Sequence, residues 1–332
     1  MNTQSAATSL TDSVAPLEAG AHVIAAGFLR EAPVLVTGDG DVLIAGTRHQ
    51  IGADAALVAK LAADAIILGD DRGRILRIGA DGTQAALADE KGRWIDALAL
   101  GPDGAIAWSC GKRVVARDGK GKVKELAAVS TSQGLAFRPK GYQLAIAQNG
   151  GALLWMPNTE APPDKLDWKG SHLDITWSPD ARFVITSMQE NALHGWRLPE
   201  KQHMRMSGYP AKSRSLSWSH DGNWLATSGA DACIVWPFGS KEGPMGKAPR
   251  ECGVRPTRVS AVACHPGSLV IAIGYEDGCI LICRLTDASE LLVRPPERDR
   301  PRDSVTALTW DAKGKRLVFG TAEGAAGVLT LP

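Results

Sequence analysis

The segment LSWSHDGNWLATSG, residues 216–229, gives the clearest indication of the fold class. Its apolar residues Leu216 and Trp218 alternate with polar ones, and a second apolar run follows the turn-forming SHDG segment at residues 219–222. A period of two is the pattern of a β-strand, whereas a helix would repeat every 3.6 residues. Two such runs around an Asp-Gly turn predict an antiparallel β-hairpin.

Seven further copies of this hairpin occur along the chain. The clear ones are LALGPDGAIAWS from Leu98, LAFRPKGYQLAIA from Leu135, ITWSPDARFVITS from Ile175, VACHPGSLVIAIG from Val262 and LTWDAKGKRLVFGT from Leu308, and two shorter ones begin near His22 and Ala56. A third apolar run follows in every copy, and its last residues are Ala45, Ile78, Ala116, Trp155, Trp196, Trp236, Cys283 and Leu329. These positions lie 33 to 47 residues apart, so the sequence predicts tandem repeats of about forty residues.

A more polar segment separates the third run of each copy from the next copy, and it is long enough for a fourth strand. Four-stranded repeats arranged around an axis form a β-propeller. We therefore predict an all-β fold, a single β-propeller over residues 1–332, with eight repeats favoured over seven. The approximate repeats are 22–53, 54–93, 94–131, 132–170, 171–212, 213–256, 257–303 and 304–332. We expect an N-terminal strand within residues 11–17 to complete the last repeat and remove its open edge.

The repeats resemble the WD40 family over nearly the whole chain, and bacterial stand-alone WD40 proteins in particular. The shared elements are the SPDG-type turns at residues 101–104, 178–180 and 219–222, the turn acid and glycine at Asp39-Gly40, Asp277-Gly278 and Glu323-Gly324, and the tryptophans Trp155, Trp196 and Trp236. The chain departs from the family in two ways. Its one Trp-Asp pair, Trp310-Asp311, ends a first strand, and no copy carries the family's full hydrogen-bonded set of Asp, His, Ser/Thr and Trp.

Composition disfavours nucleic-acid-binding, secreted and membrane-spanning proteins. The net charge of +1 provides no general attraction to nucleic acid or anionic lipid. The N-terminal residues lack the pattern of a signal peptide, and no run of about 18 apolar residues occurs. Six cysteines without disulfide-framework spacing favour reduced thiols. We expect a cytoplasmic protein that does not contact membranes.

Catalytic and metal-binding motifs are missing from the sequence. It contains no HExxH, GxSxG or Walker-type phosphate loop, so we predict a protein that is not an enzyme and uses no cofactor. Cys279 and Cys283 are four residues apart on one predicted strand, a separation of about 13 Å that is too long to chelate one ion. We interpret them as buried thiols and predict no metal site.

Two segments carry clustered basic residues. Residues 294–303 contain four arginines but also three acids, and residues 237–258 are more basic. We interpret both as solvated loops, because a nucleic-acid interface needs a basic surface with interleaved aromatic residues.

The resemblance to WD40 proteins implies a docking face. In such propellers, the connections from each fourth strand to the next first strand share a face with the turns between second and third strands. Aromatic, methionine and arginine residues are enriched at interface centres. In the sector spanning the fifth and sixth copies, with the loop that follows the fourth, we predict the partner-binding residues Trp168, His172, Glu190, Tyr209, Lys212 and Arg214. The alternative is that Trp168 covers a neighbouring repeat and that Met204 and Met206 pack beneath the outer strand.

Asp174 occupies an inner-strand position where other copies carry small residues, so we expect it to face the central channel. It would either pair with Arg214 or leave Arg214 free to bind an anion. We predict a monomeric, non-enzymatic scaffold that binds a protein or peptide partner on the loop face. The alternatives are a propeller enzyme or small-ligand binder at the channel mouth, and a client-binding protein linked to metal homeostasis.

Overall fold

The computed structural model of the protein describes residues 9–52, 55–296 and 303–331. Within these ranges, thirty antiparallel strands form seven sheets, six of four strands and one of six. Two 3-10 helices, Thr11–Ser13 and Pro102–Gly104, complete the regular structure of this part of the chain. None of the helices in the described ranges is long and apolar enough to span a bilayer.

The strands follow one another as repeated up-and-down meanders. They are β1 (Val14–Glu18), β2 (Val23–Leu29), β3 (Ala32–Thr37), β4 (Asp41–Ile44), β5 (Thr47–Gln50), β6 (Ala56–Leu61), β7 (Ala65–Asp70), β8 (Arg74–Gly79), β9 (Gln84–Asp89), β10 (Ala97–Leu100), β11 (Ile106–Cys110), β12 (Arg113–Arg117), β13 (Val123–Ala127), β14 (Leu135–Phe137), β15 (Leu144–Trp155), β16 (Asp164–Trp177), β17 (Phe183–Met188), β18 (Leu193–Arg197), β19 (Gln202–Met206), β20 (Leu216–Trp218), β21 (Trp224–Thr227), β22 (Cys233–Pro237), β23 (Arg250–Cys252), β24 (Val259–Cys264), β25 (Val270–Tyr275), β26 (Ile280–Arg284), β27 (Glu290–Arg294), β28 (Val305–Trp310), β29 (Arg316–Thr321) and β30 (Ala325–Thr330). The predicted all-β propeller of four-stranded units is confirmed.

The six-stranded sheet, β14 to β19, contains two sequence repeats. Its strand β15 passes through Asn149-Gly150, a residue pair typical of two-residue hairpin turns, and Gly150 and Gly151 both have positive φ. The first half of β15 pairs with β14 and the second half with β16. The first half of β16 likewise pairs with β15 and the second half with β17. The fourth and fifth repeats are therefore joined in one sheet, so that eight sequence repeats fold into seven sheets.

The N-terminal strand closes the last sheet. β1 pairs antiparallel with β30, from Val14 opposite Leu329 to Glu18 opposite Ala325. The predicted closing strand is confirmed, although it begins at Val14 because residues 11–13 form a 3-10 turn. The first and last repeats also touch at their inner strands, where Thr306 Oγ1 donates to the Val23 carbonyl at 2.6 Å.

Neighbouring repeats pack closely where a second strand carries a glycine. A Cβ added at Gly69 would lie 2.5 Å from Ile95 Cγ2, and one at Gly320 would lie 2.4 Å from Val23 Cγ1. In both cases the missing side chain makes room for a β-branched residue of the following repeat. Small residues on second strands therefore set how closely adjacent sheets approach.

The meander order gives the ring two distinct faces. Because neighbouring strands are antiparallel, the turns between second and third strands share an edge with the connections from fourth to first strands. We call this edge the upper face; it includes residues 90–96, 111–112, 128–134, 189–192, 207–215 and 253–258. The other turns form the lower face, which includes residues 118–122 and 138–143.

Candidate functional site

The residues predicted to bind a partner differ widely in exposure. Glu190 and Arg214 are exposed on the upper face, and Lys212 and Trp168 are half-buried. His172 and Tyr209 are only 3% and 7% exposed. The structure therefore separates this set into surface groups and groups that lie beneath the surface.

Tyr209 belongs to a buried hydrogen-bonded chain in the sixth repeat. The Trp236 indole N–H donates to the Tyr209 hydroxyl at 2.7 Å, and that hydroxyl lies 2.7 Å from Thr227 Oγ1. Thr227 donates its own proton to the Ile234 carbonyl at 2.9 Å, so the Tyr209 hydroxyl is the donor to Thr227. Burial raises the pKa of Tyr209 well above its usual range. Tyr209 thus links the upper-face connection to the sheet below it.

His172 makes a comparable link in the fifth repeat. Its Nδ1 lies 2.6 Å from Thr186 Oγ1, and its Nε2 lies 3.2 Å from the Trp168 carbonyl oxygen. Burial lowers the pKa of His172. Both ring nitrogens contact groups of the protein, so the ring positions the connection between the fourth and fifth repeats.

Trp168 covers the fifth repeat. Its ring stacks on His194, with centroids 4.1 Å apart and planes 15° apart, and it also contacts His203 at 4.5 Å. His194 is fully buried, neither of its ring nitrogens has a hydrogen-bond partner among the described residues, and burial lowers its pKa to about 3. The alternative interpretation of Trp168, that it covers a neighbouring repeat, matches these contacts. Met204 and Met206 are likewise buried, at 2% and 1% exposure.

Lys212 and Arg214 line a cavity of about 490 Å³ on the upper face. Neither forms an ion pair with any residue that the structure describes, whereas Arg258 in the same wall pairs with Glu276 at 3.1 Å. The Arg214 N–H donates to Ser228 Oγ at 3.1 Å, which fixes the backbone that carries both cations. The cavity therefore contains two positive charges without an ion-pair partner among the described residues, and the backbone that carries them is fixed by the hydrogen bond to Ser228.

Glu190 lies on the other side of this sector. Its Oε1 accepts a hydrogen bond from the Ser171 N–H at 3.2 Å. Its neighbour Gln189 lines a second upper-face cavity of about 580 Å³, together with Lys112 and Val129. The predicted sector is thus bordered by two cavities.

Asp174 lies on the inner half of β16, where its Oδ1 accepts from the Ile175 N–H at 2.8 Å. Burial raises the pKa of Asp174, and the charge of Lys60 opposes that shift. Lys60, and not Arg214, is therefore the cation whose field acts on this carboxyl group. Lys60 also lines a cavity of about 370 Å³ bordered by the inner strands.

Three exposed apolar residues of the upper face were not predicted from the sequence as candidate binding residues. Trp94, Val129 and Val254 are 66%, 65% and 63% exposed, and each lies in a connection from a fourth strand to the next first strand. A tryptophan in such a connection, between Arg93 and Ile95, was the signal that would have identified the first of them.

The remaining sequence candidates are the two cysteines and the basic segment 294–303. Cys279 and Cys283 are fully buried, and no group of three or more His, Cys, Asp or Glu side chains in the described ranges could hold a metal ion. In the basic segment 294–303, Arg294 pairs with Asp303 at 3.2 Å and donates to the Gly278 carbonyl at 2.7 Å. Residues 297–302 of that segment lie outside the described residues.

Comparisons with known proteins agree with this architecture. Residues 201–236, which include the Tyr209 chain, match the family of the WD domain, G-beta repeat. No curated protein shows significant similarity to the chain. The chain is similar to a crystal structure of the computationally designed Ika8 protein, with a TM-score of 0.77 and 16% identity over 95% of this chain and 98% of that one, a likeness of fold alone. The chain is thus a β-propeller in which residues 201–236 match the WD40 repeat model.

Proposed function

We propose that this propeller is a non-enzymatic, monomeric scaffold of the cytoplasm that holds a protein or peptide partner on its upper face. The observation that carries the proposal is the cavity at Lys212 and Arg214. Two cations without a carboxylate partner among the described residues face a concave surface of a size suited to one or a few side chains. An acidic side chain of a partner would supply the missing charge.

The surroundings of this cavity favour binding over catalysis. Among the described residues, its lining contains no Cys or His and one carboxylate, Glu276, which is already paired with Arg258. General acid–base or nucleophilic chemistry requires a titratable group within reach of a reacting atom. Lys212 and Arg214 are instead suited to recognising an anionic group.

The test is recovery of partners from the native host by the tagged protein and a Lys212→Glu/Arg214→Glu variant. The matched control is Lys120→Glu/Lys140→Glu, which makes the same charge change at exposed lysines of the lower face. A partner retained by the native protein and the control but lost from the first variant supports the proposal. Equal recovery by all three proteins shows that the cavity is not the docking site.

A second candidate function is binding of a small ligand between the inner strands. It is favoured by Lys60, which lines the cavity of about 370 Å³ and whose charge acts on the Asp174 carboxyl group. Thermal-shift measurements with a panel of phosphorylated and carboxylated metabolites, on the native protein and Lys60→Met, test this candidate. A stabilisation that requires Lys60 supports it, and a flat panel removes it.

A further inference from the structure

Trp94 is the exception among the tryptophans of this protein. The chain contains ten of them, and nine are buried or half-buried, whereas 66% of the Trp94 surface is exposed. Lys91, Gly92 and Arg93, which precede it, are exposed as well. A large aromatic side chain in water forgoes the stabilisation that burial would provide, so its position calls for an explanation.

The loop that carries Trp94 is held firmly in place. The N–H groups of Glu90 and Gly92 donate to the Gly73 and Arg72 carbonyls, both at 2.7 Å. Ile95, which directly follows Trp94, is fully buried against the space left by Gly69. Trp94 is therefore presented by an anchored backbone, which lowers the entropy lost when a ligand orders it.

The carboxylates of this region are already engaged. Glu90 accepts from the Trp108 indole N–H at 2.7 Å and pairs with Arg113. Asp89 Oδ1 accepts from the Lys91 N–H at 2.7 Å, and Asp96 Oδ2 accepts from the Gly111 N–H at 2.6 Å.

Three cations of the same region have no carboxylate partner among the described residues. Lys91, Arg93 and Lys112 form no ion pair with any residue in the described ranges, and Lys91 and Lys112 are exposed like Arg93. The loop and the adjoining turn thus place three exposed cations near an exposed indole. They outnumber the two carboxylates there, Asp89 and Asp96, whose only partners among the described residues are backbone N–H groups.

A groove begins beside this loop. The Asp96–Gly111 hydrogen bond ties the Trp94 loop to the turn that carries Lys112. Lys112 and the exposed Val129 both line the cavity of about 580 Å³, whose other walls include the amide side chains of Gln133 and Gln189. Amide groups can pair with the backbone of an extended peptide, while Val129 supplies an apolar contact.

We propose that Lys91, Arg93, Trp94, Lys112 and Val129 form a second docking patch, for an acidic peptide segment that carries an apolar side chain. The inference extends the proposed function to another part of the same upper face. A peptide suits the patch better than a nucleic acid, because the patch has one exposed aromatic residue and the net charge of the chain is only +1. Tryptophan and arginine are the residues most enriched at interface hot spots.

The experiment selects random twelve-residue peptides displayed on phage against the full-length protein. Clones that also bind an Arg93→Glu/Trp94→Ala variant are removed, and the survivors are synthesised for anisotropy titrations. The matched control is Lys140→Glu/Met156→Ala, an exposed cation and an exposed apolar residue of the lower face. Circular dichroism melting curves verify that every variant is folded.

The expected survivors are rich in Asp and Glu around an apolar residue, and their Kd rises about 30-fold with Trp94→Ala, as at a hot-spot tryptophan. Their affinity also falls as salt is added. Survivors without an acidic excess, or a selection that yields none, overturn the proposal. A 20-nucleotide oligo-dT that binds through Trp94 more tightly than the peptides points to nucleic acid instead, and Trp94-dependent dimerisation in sedimentation points to a second copy of the chain.

The Lys212→Glu/Arg214→Glu variant separates this inference from the proposed function. If that variant still recovers every native partner while the acidic peptides require Trp94, the first site fails and the second stands. If the peptides bind through Lys212 and Arg214 and ignore Trp94, the second patch fails and the first site gains support.

Discussion

Tyr209 and Trp236 are joined by a hydrogen bond of 2.7 Å from the indole N–H to the phenol oxygen, and Tyr209 continues the chain to Thr227. The connection above the sixth repeat is thereby tied to the second and third strands beneath it. A histidine takes the corresponding place in the fifth repeat, where His172 contacts Thr186. Tyr209 in one repeat and His172 in the other thus each bind an upper-face connection to the sheet beneath it.

Replacing Tyr209 by Phe should destabilise the protein. The Trp236 N–H loses its acceptor and Thr227 loses a donor in a buried site, and an unsatisfied buried polar group costs about 1–3 kcal/mol. Urea unfolding followed by fluorescence measures the effect. Tyr142→Phe is the control, since no hydrogen bond of its hydroxyl occurs among the described residues; an equal loss in both variants would contradict the role of the chain.

The buried His194 should make the protein less stable in acid. Its folded-state pKa of about 3 lies below the ordinary value of 6.5, so the unfolded chain binds more protons between these limits. Its contribution therefore favours unfolding increasingly as pH falls from about 6.5 towards 3. His172, whose pKa is also lowered, acts in the same direction.

The variant His194→Phe should flatten this pH dependence and leave stability at pH 7 unchanged or higher. Neither ring nitrogen of His194 has a partner among the described residues, so an apolar ring loses no hydrogen bond there and retains the stack on Trp168. Thermal melts from pH 4 to 7 measure the slope. The exposed His220→Phe is the comparison, and an unchanged slope in His194→Phe would refute the assignment.

Gly69→Ala should weaken the contact between the second and third repeats. The added methyl would lie 2.5 Å from Ile95 Cγ2, and overpacking of a buried contact costs about 1–3 kcal/mol. Because Ile95 anchors the Trp94 loop, the same change should also weaken binding of the acidic peptides. Gly267→Ala is the control, because its added methyl meets no atom closer than 3.9 Å, and melting experiments compare the two variants. An equal loss in both would contradict the contact with Ile95.

A chain that begins at Ala19 should have a lower melting temperature and a tendency to associate. It lacks β1, so the backbone groups of β30 become an open sheet edge, and open edges pair with other chains. Calorimetry and light scattering measure both effects. A synthetic peptide of residues 9–20 added in trans should restore the melting temperature; no response to that peptide would contradict the pairing as the source of stability.

Short-range sequence patterns were sufficient to predict most of the strands and turns of the fold. The period-two runs and the turns between them predicted the strands, and the spacing of third-strand residues such as Trp196 and Trp236 predicted the repeats. Both tryptophans are buried as expected, at 1% and 8% exposure. Strand periodicity and turn chemistry act over a few residues, which is why they can be inferred from the sequence without knowledge of the neighbouring repeats.

The surface groups of the upper face were decided by contacts between repeats. Tyr209 and Trp94 both stand in connections from a fourth to a first strand, yet one is 7% exposed and the other 66%. The period-two pattern predicted that the connections exist, and the resemblance to WD40 proteins implied which face they share. Which side chains turn inward follows from the folded arrangement of the repeats, because it depends on acceptors and space supplied by residues distant along the chain, such as Thr227 for Tyr209.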